Sequence, residues 1–353
     1  MSIDQKSRAM TFPRVGKFII IFFAIAFILA GARGYQLYRY VFEENVKNDY
    51  VILVTEEDDI KSISEKLESN EILFNMKAFK WVAKKKKYAD YMRPGRYELK
   101  KGMTTNELVN MLRSGAQSPV DITFNNVRFK EELAGKVSKY IKADSTSILQ
   151  LFSDEQQIRD WGFTEENFRA MFIPNTYEMY WTTSAEEFAE RMKTEYDRFW
   201  NDTRTKQAAK MGLTPQQVVT LASIVQSETI KPDELKTVAG LYINRLNKGI
   251  ALQADPTVKY AVGDYSIKRV LNKHLEIDSP YNTYKYAGLP PGPICFPEIT
   301  SVDAVLNYED HNYLYMCARE DFSGYHNFAK TLSQHNRNAK KYRDALNELR
   351  IYK

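Results

Sequence analysis

The sequence predicts an α+β protein held at a membrane by one N-terminal helix. Three observations predict it: an apolar run near the start, strand and helix patterns in the order β-α-α-β-α, and a later helix whose apolar stripe ends on a carboxylate. At 353 residues the chain is long enough for two to three domains, each burying its own core. A hydrophobic fraction of 44% excludes a disordered chain. The net charge of +5 is too small over this length to point to nucleic acid. His274, His311, His326 and His335 have no metal-binding spacing with each other or with the cysteines, so no metal site and no cofactor are expected. Cys295 and Cys317 could form one disulfide or stay as two thiols; their apolar surroundings favour buried free thiols.

Residues 18–32 are uninterrupted apolar, preceded by Lys6, Arg8, Arg14 and Lys17. This run is shorter than the roughly 20 residues a spanning helix needs. Lys17 and Arg33 can snorkel, however, and Tyr35, Leu37 and Tyr38 extend the apolar character. A cleaved signal peptide competes, since Ala30-Gly-Ala32 has the small residues of a cleavage site. The reading favoured is an uncleaved single-pass anchor at 18–38, residues 1–17 cytoplasmic and the rest exported to the periplasmic side of the inner membrane.

A module at 48–116 follows. Asp49 to Thr55 reads as a strand, 62–67 and 78–83 as short amphipathic helices, and Lys84–Lys87 as a solvated helix end. Arg93-Pro-Gly-Arg-Tyr97 is a turn into a strand, and 105–112 a helix closed by Gly115. This order resembles the LysM-like domain found beside catalytic domains in cell-wall enzymes. In the intermediate region, 117–212, residues 120–129 alternate as a strand pair, and 130–212 look mainly helical with Trp161, Trp181 and Trp200 as packing anchors. Phe172-Ile-Pro-Asn-Thr-Tyr177 interrupts them as a turn before an extended segment. The last unit, 213–353, reads as helices at 214–229 and about 233–248, a polar loop region at 249–300, a strand at 313–318 and an amphipathic helix at about 331–350.

The first of those helices opens with Thr214 as N-cap, Pro215 at the first helical position and Gln217 as capping-box partner. Its apolar stripe, Val218, Leu221, Ala222 and Val225, continues to Glu228 at i+3. Gln226 lies roughly 200° away at about 100° per residue. A carboxyl on the buried face loses hydration, so its pKa rises toward what a general acid needs. Spacing alone leaves a plain alternative, a last-turn residue at a frayed end.

Downstream the loops are rich in hydrogen-bonding and aromatic side chains. Asn244 and Arg245 precede the Gly249 stop; then come Gln253-Ala-Asp-Pro-Thr257, Tyr281-Asn-Thr-Tyr284 and Gly288-Leu-Pro-Pro-Gly-Pro293. Singly each has a structural explanation, Asp255 before Pro256 as an Asx-turn for example. Together with Glu228 they form a plausible cleft.

Ala222-Ser-Ile-Val-Gln-Ser-Glu-Thr229, Asn244-Arg-Leu246, Leu252-Gln-Ala-Asp-Pro-Thr-Val258, Tyr281-Asn-Thr-Tyr284, Gly288-Leu-Pro-Pro-Gly-Pro-Ile294, His326-Asn-Phe328 and His335-Asn336 resemble, in order, the YceG/MltG family of endolytic murein transglycosylases. Gly95-Arg-Tyr97 and the 172–177 motif fall in register too. The resemblance implies a mixed α/β catalytic domain with a lysozyme-like helical site and Glu228 as its catalytic residue. It implies substrate contacts from Asn244, Arg245, Gln253, Asp255, Thr257, Tyr281, Asn282, Thr283, Tyr284, His326 and Phe328. Gln226 stands where the family has a first glutamate, and Asn175 where it commonly has Asp. The first change is expected to tune the site without abolishing activity; the second would alter affinity if the family's Asp takes part in substrate binding.

The resemblance further implies that Glu228 alone serves as acid and base. It protonates the bond between N-acetylmuramic acid and N-acetylglucosamine, then deprotonates the C6 hydroxyl that closes a 1,6-anhydro ring. Gln253, Asn282 and Tyr284 are candidates to stabilise the developing charge, and His326 is a hydrogen-bonding wall. The implied partners are peptidoglycan strands, the bilayer and cell-wall synthases. Two other functions stay open: a muramidase adding water through Glu228 and Asp255, and a non-catalytic peptidoglycan-binding scaffold, to which Gln226 and Asn175 lend weight.

Overall fold

The apolar N-terminal run forms part of one long helix, α1 (Arg14–Phe42), because no residue in it breaks the i→i−4 ladder. The computed structural model describes residues 14–267 and 269–349. Lys6, Arg8 and the rest of the proposed cytoplasmic tail before residue 14 lie outside the described residues. From Gly16 to Phe42 the helix is long and apolar enough to cross a membrane, with a mean hydropathy of 2.1 over its most apolar window.

The chain divides into two compact units, the first ending at Pro119 and the second starting at Val120. In the first, β1 (Tyr50–Val54) pairs antiparallel with β2 (Gly95–Leu99). Ile52, Val54, Tyr97 and Leu99 alternate onto the buried face. The helices α2 (Ile60–Ser69), α3 (Met76–Lys85) and α4 (Thr105–Ser114) cover that face. Asp59 and Thr104 close capping boxes at the starts of α2 and α4, and Gly115 ends α4 in the left-handed region at φ 74°. The β-α-α-β-α order is the one expected from the sequence.

In the second unit, the expected strand pair within 120–129 is instead a single strand, β3 (Val120–Phe124). Its partner is the distant β4 (Asn175–Met179), the extended segment after the 172–174 turn. Between them lie α5 (Lys130–Val137), α6 (Ser145–Leu151) and α7 (Glu155–Asp160); α8 (Ala185–Phe199) and α9 (Asp202–Lys210) follow. Then come α10 (Pro215–Glu228) and α11 (Leu235–Asn247), close to the expected bounds.

The polar region at 249–300 is not simply loop. It contains α12 (Asp255–Val262) and α13 (Asn272–Leu275), and at its end begins α14 (Ile299–Leu306). Asp255 thus starts a helix, where an Asx-turn was one expectation, because Pro256 suits the first helical turn. The strand near 313–318 is β5 (Tyr315–Ala318), and it pairs with an unforeseen β6 (His326–Ala329) before α15 (Leu332–Glu348). Cys295 and Cys317 are free thiols, the first buried and the second half-buried.

The helix α10 lies at the centre of this unit, packed on α11, α12 and α14. Gly240 on α11 permits the approach of the 309–311 segment: a Cβ there would lie 2.3 Å from the Glu309 carbonyl oxygen. The loop after Gly292 is tied to α10 through the fully buried Ser223, whose Oγ accepts from Ile294 N at 3.0 Å.

Candidate active site

Glu228 is placed by how α10 begins and how it ends. At the start, Thr214 N donates to Gln217 Oε1 and Gln217 N donates back to Thr214 Oγ1, at 2.9 and 3.2 Å. From Val218 to Val225 every residue is buried, so the helix is enclosed on all sides rather than along one stripe. Its last turn emerges again. Gln226 turns away and its Oε1 accepts from Glu298 N at 2.7 Å, while Glu228 opens on a cleft of about 450 Å³.

The carboxyl of Glu228 is half-buried in the cleft wall. Tyr242 Oη donates to its Oε1 at 2.8 Å, reaching across from α11. Loss of hydration pushes its pKa from 4.5 up to about 7; the Tyr242 bond opposes this, the Asp255 charge adds to it, and Lys259 opposes it. A carboxyl that is protonated near neutrality and has an ionised state held by one donor can both give and take a proton.

Asp255 lines the same cleft but is exposed, and Tyr284 Oη donates to its Oδ1 at 2.6 Å. Arg245, buried beneath the cleft, donates to the carbonyls of Ala251 and Leu314, both at 2.7 Å. It also donates to Gln253 Oε1 at 2.7 Å, which fixes the Gln253 side chain. Gln253 itself sits at φ 52°, a left-handed conformation unusual for a side-chain-bearing residue. His326 forms the opposite wall. Its Nδ1 lies 2.8 Å from Glu234 Oε2, and its backbone N donates to Glu234 Oε1 at 2.8 Å.

Six of the residues singled out in the sequence therefore meet at one cleft: Glu228, Arg245, Gln253, Asp255, Tyr284 and His326. The others stand behind it or beside it. Asn244 holds the 311–313 segment by donating to His311 O at 2.6 Å. Thr257 and Thr283 share a buried hydrogen bond at 2.8 Å and brace the 254 turn. Asn282 is fully buried, donating to Leu275 O and Ile277 O, so its amide does not face the cleft. Tyr281 packs on Tyr260 with ring centroids 4.5 Å apart, and Phe328 stacks on Tyr313.

Sequence reasoning passed over Tyr242, Tyr315, Glu234 and, as a site residue, His335. Tyr242 reads as an ordinary core aromatic, and only the α10–α11 crossing brings its hydroxyl to Glu228. His335 belongs to the His335-Asn336 motif; it stacks on Tyr315 at 5.5 Å, and burial lowers its pKa.

This architecture has known relatives. The sequence model of the YceG-like family matches residues 52–341. The endolytic murein transglycosylase of Bacillus subtilis is 30% identical over 322 residues, covering 87% of this chain and 88% of that protein. That of Streptococcus pneumoniae strain D39 is 27% identical over 363 residues, covering 91% of this chain but 64% of that protein. A crystal structure of a yceG-like protein from Listeria monocytogenes matches with a TM-score of 0.54 at 28% identity, covering 82% of this chain and 98% of the other. The chain belongs to the YceG-like family.

Proposed function

We propose that this protein is a membrane-anchored endolytic murein transglycosylase with Glu228 as its single general acid and base. The observation that carries the reading is the Glu228 carboxyl at the wall of a cleft, held by the Tyr242 hydroxyl, where loss of hydration pushes its pKa up to about 7. Relatives named endolytic murein transglycosylase, one at 30% identity, support the substrate class.

In this mechanism protonated Glu228 gives its proton to the glycosidic oxygen as the C1–O bond of N-acetylmuramic acid breaks. The C6 hydroxyl of the same sugar then attacks C1, and the Glu228 carboxylate takes the hydroxyl proton, regenerating the acid. The new C6–O–C1 bond is the 1,6-anhydro ring. Attack within one sugar gains from proximity, which disfavours water. Tyr242 stabilises the carboxylate between the two half-reactions, and Gln253 and Tyr284 face the charge that develops.

The helix α1 would anchor the chain at the cytoplasmic membrane with both units exported. The β-α-α-β-α unit would be a LysM-like module, and residues 213–353 the catalytic part with its lysozyme-like helical site. Glycan strands would be the substrate, and cell-wall synthases the neighbours that supply them.

The test is digestion of purified glycan strands by full-length protein, with end groups read by mass spectrometry. Anhydro ends are expected, and Glu228→Gln should lose roughly 10²–10⁴-fold in rate. Asp255 in the same cleft favours one second reading, a muramidase, which reducing ends would establish instead. Equal cleavage by the mutant would remove Glu228 from the chemistry, and no cleavage by either protein would favour a scaffold.

A further inference from the structure

The lysine run after α3 remains unassigned by the cleft chemistry. Lys84, Lys85 and Lys87 are exposed, and among the described residues none of the three enters an ion pair closer than 4.0 Å. Such a run is ordinarily a solvated helix end. Its place against α1 gives it another meaning.

Beyond Gly16, α1 is partly covered only at Leu37, Tyr40 and Val41, spaced i, i+3 and i+4. The first unit therefore begins to pack on α1 at Leu37. Counted from Phe18, a hydrocarbon core about 30 Å thick takes roughly 20 residues at 1.5 Å each, which also ends near Leu37. The module thus begins where the bilayer's apolar layer would end.

The helix α3 runs back along α1. Asn75 and Ala78 share a pocket with Arg39 and Glu43. One turn later Trp81 meets Tyr40, with ring centroids 6.2 Å apart. The next turn, holding Lys84 and Lys85, continues toward the apolar end of α1. Lys85 Nζ lies 5.9 Å from the centre of the Trp81 ring. Tyr38, at 60% exposure, and Phe42, at 56%, add aromatic surface at this level of α1. An amphipathic Trp and Tyr beside unpaired lysines is the side-chain chemistry of a membrane–water interface.

We propose that Trp81, Lys84, Lys85 and Lys87 form a seat for anionic phospholipid headgroups beside the span, fixing the module against the bilayer surface. The proposal rests on the reading of α1 as a retained anchor. Glu65 and Glu68, in the groove that Lys84 and Lys87 line, are already paired with Lys61 and Lys80, which leaves Asp90, among the described residues, as the one unpaired carboxylate there. Lipid phosphate is the occupant because the surface is defined by its level on the span, and its three unpaired lysines outnumber that carboxylate.

The experiment is lysine acylation, read by peptide mass spectrometry, on full-length protein in nanodiscs. One set contains phosphatidylcholine alone and the other adds phosphatidylglycerol at about one lipid in three. Lys139 and Lys210, both exposed in the second unit, serve as references. Modification of Lys84, Lys85 and Lys87 should slow several-fold in the phosphatidylglycerol discs relative to those references. The protection should vanish near 1 M salt, where the screening length falls to about 3 Å. Equal rates in the two discs, or protection indifferent to salt, overturn the headgroup seat while leaving the anchor standing. Protein that remains in solution and enters neither disc overturns the anchor and, with it, the seat.

Discussion

Replacing Glu228 by Gln should remove activity and yet stabilise the fold, and the gain should depend on pH. The folded carboxyl titrates at about 7 against an ordinary 4.5. Below pH 4.5 both folded and unfolded states hold the proton, and the site costs nothing. As pH rises from 4.5 toward 7 the unfolded chain releases its proton first, so stability falls; above 7 the full cost is present. At 1.36 kcal/mol per pH unit that cost is about 3 kcal/mol. Because cleft water reaches one side of the group, about 2 kcal/mol is a fairer figure. Gln removes the charge and keeps an oxygen for the Tyr242 hydroxyl. Thermal unfolding would be followed by the fluorescence of Trp161, Trp181 and Trp200 in the second unit. Near pH 8 the mutant should melt roughly 4–8 °C higher than wild type; near pH 4 the two should coincide. An equal shift at both pH values would trace the effect to packing instead of ionisation. No shift near pH 8 would mean that Glu228 is not held protonated, which would remove the physical basis for its role as acid.

Three further outcomes follow from the same geometry. Tyr242→Phe deletes a donor that favours ionised Glu228, so the alkaline limb of kcat/KM should move up by about one pH unit, taking the charge-assisted bond as about 1.5 kcal/mol; a limb that stays or moves down contradicts the assignment. Asp255→Asn removes a negative charge that helps Glu228 keep its proton, so the limb should move down while anhydro ends persist, whereas loss of all cleavage would make Asp255 a direct participant. Gly240→Ala places a methyl 2.3 Å from the Glu309 carbonyl oxygen, which should cost about 1–3 kcal/mol in denaturant unfolding of the second unit; an unchanged midpoint would mean that the 309–311 segment yields freely.

What could be read in the sequence was what neighbouring residues decide among themselves. The opening of α10 is an exchange between Thr214 and Gln217, three residues apart, and both of its hydrogen bonds are present. The order of elements in the first unit was legible because each helix carries its own cap and each strand its own alternation. Pairings across long separations were not. Val120 meets Met179, and nothing local at 125–129 says that a second strand does not follow there. The four residues of β6 have no pattern beyond their match to β5. The helix α12 was missed for a different reason: Pro256 and Gly263 are ordinary start and stop signals, but the polar residues around them read as loop. Six residues of the cleft were legible as types before their places could be sorted. Distinguishing Gln253, at the cleft, from Asn282, buried beneath it, required knowing which carbonyls already claimed each amide.

The cleft holds two carboxylates whose surroundings differ, and that difference argues for one acid instead of a hydrolytic pair. Glu228 has lost its water and takes a single hydrogen bond, so the proton stays near neutrality. Asp255 is exposed, and Tyr284 donates to it at 2.6 Å. An oxygen engaged in this way is a poor nucleophile until the tyrosine moves, and water already solvates the remainder. Its charge nevertheless reaches Glu228 and raises that pKa further. Asp255 can therefore assist the reaction without touching the sugar, by keeping its neighbour protonated until the glycosidic oxygen takes the proton. Contrasting surroundings of this kind assign roles to paired carboxyls elsewhere. In the proposed mechanism Glu228 would then carry the proton in both directions, and Asp255 would be the fixed charge that poises it.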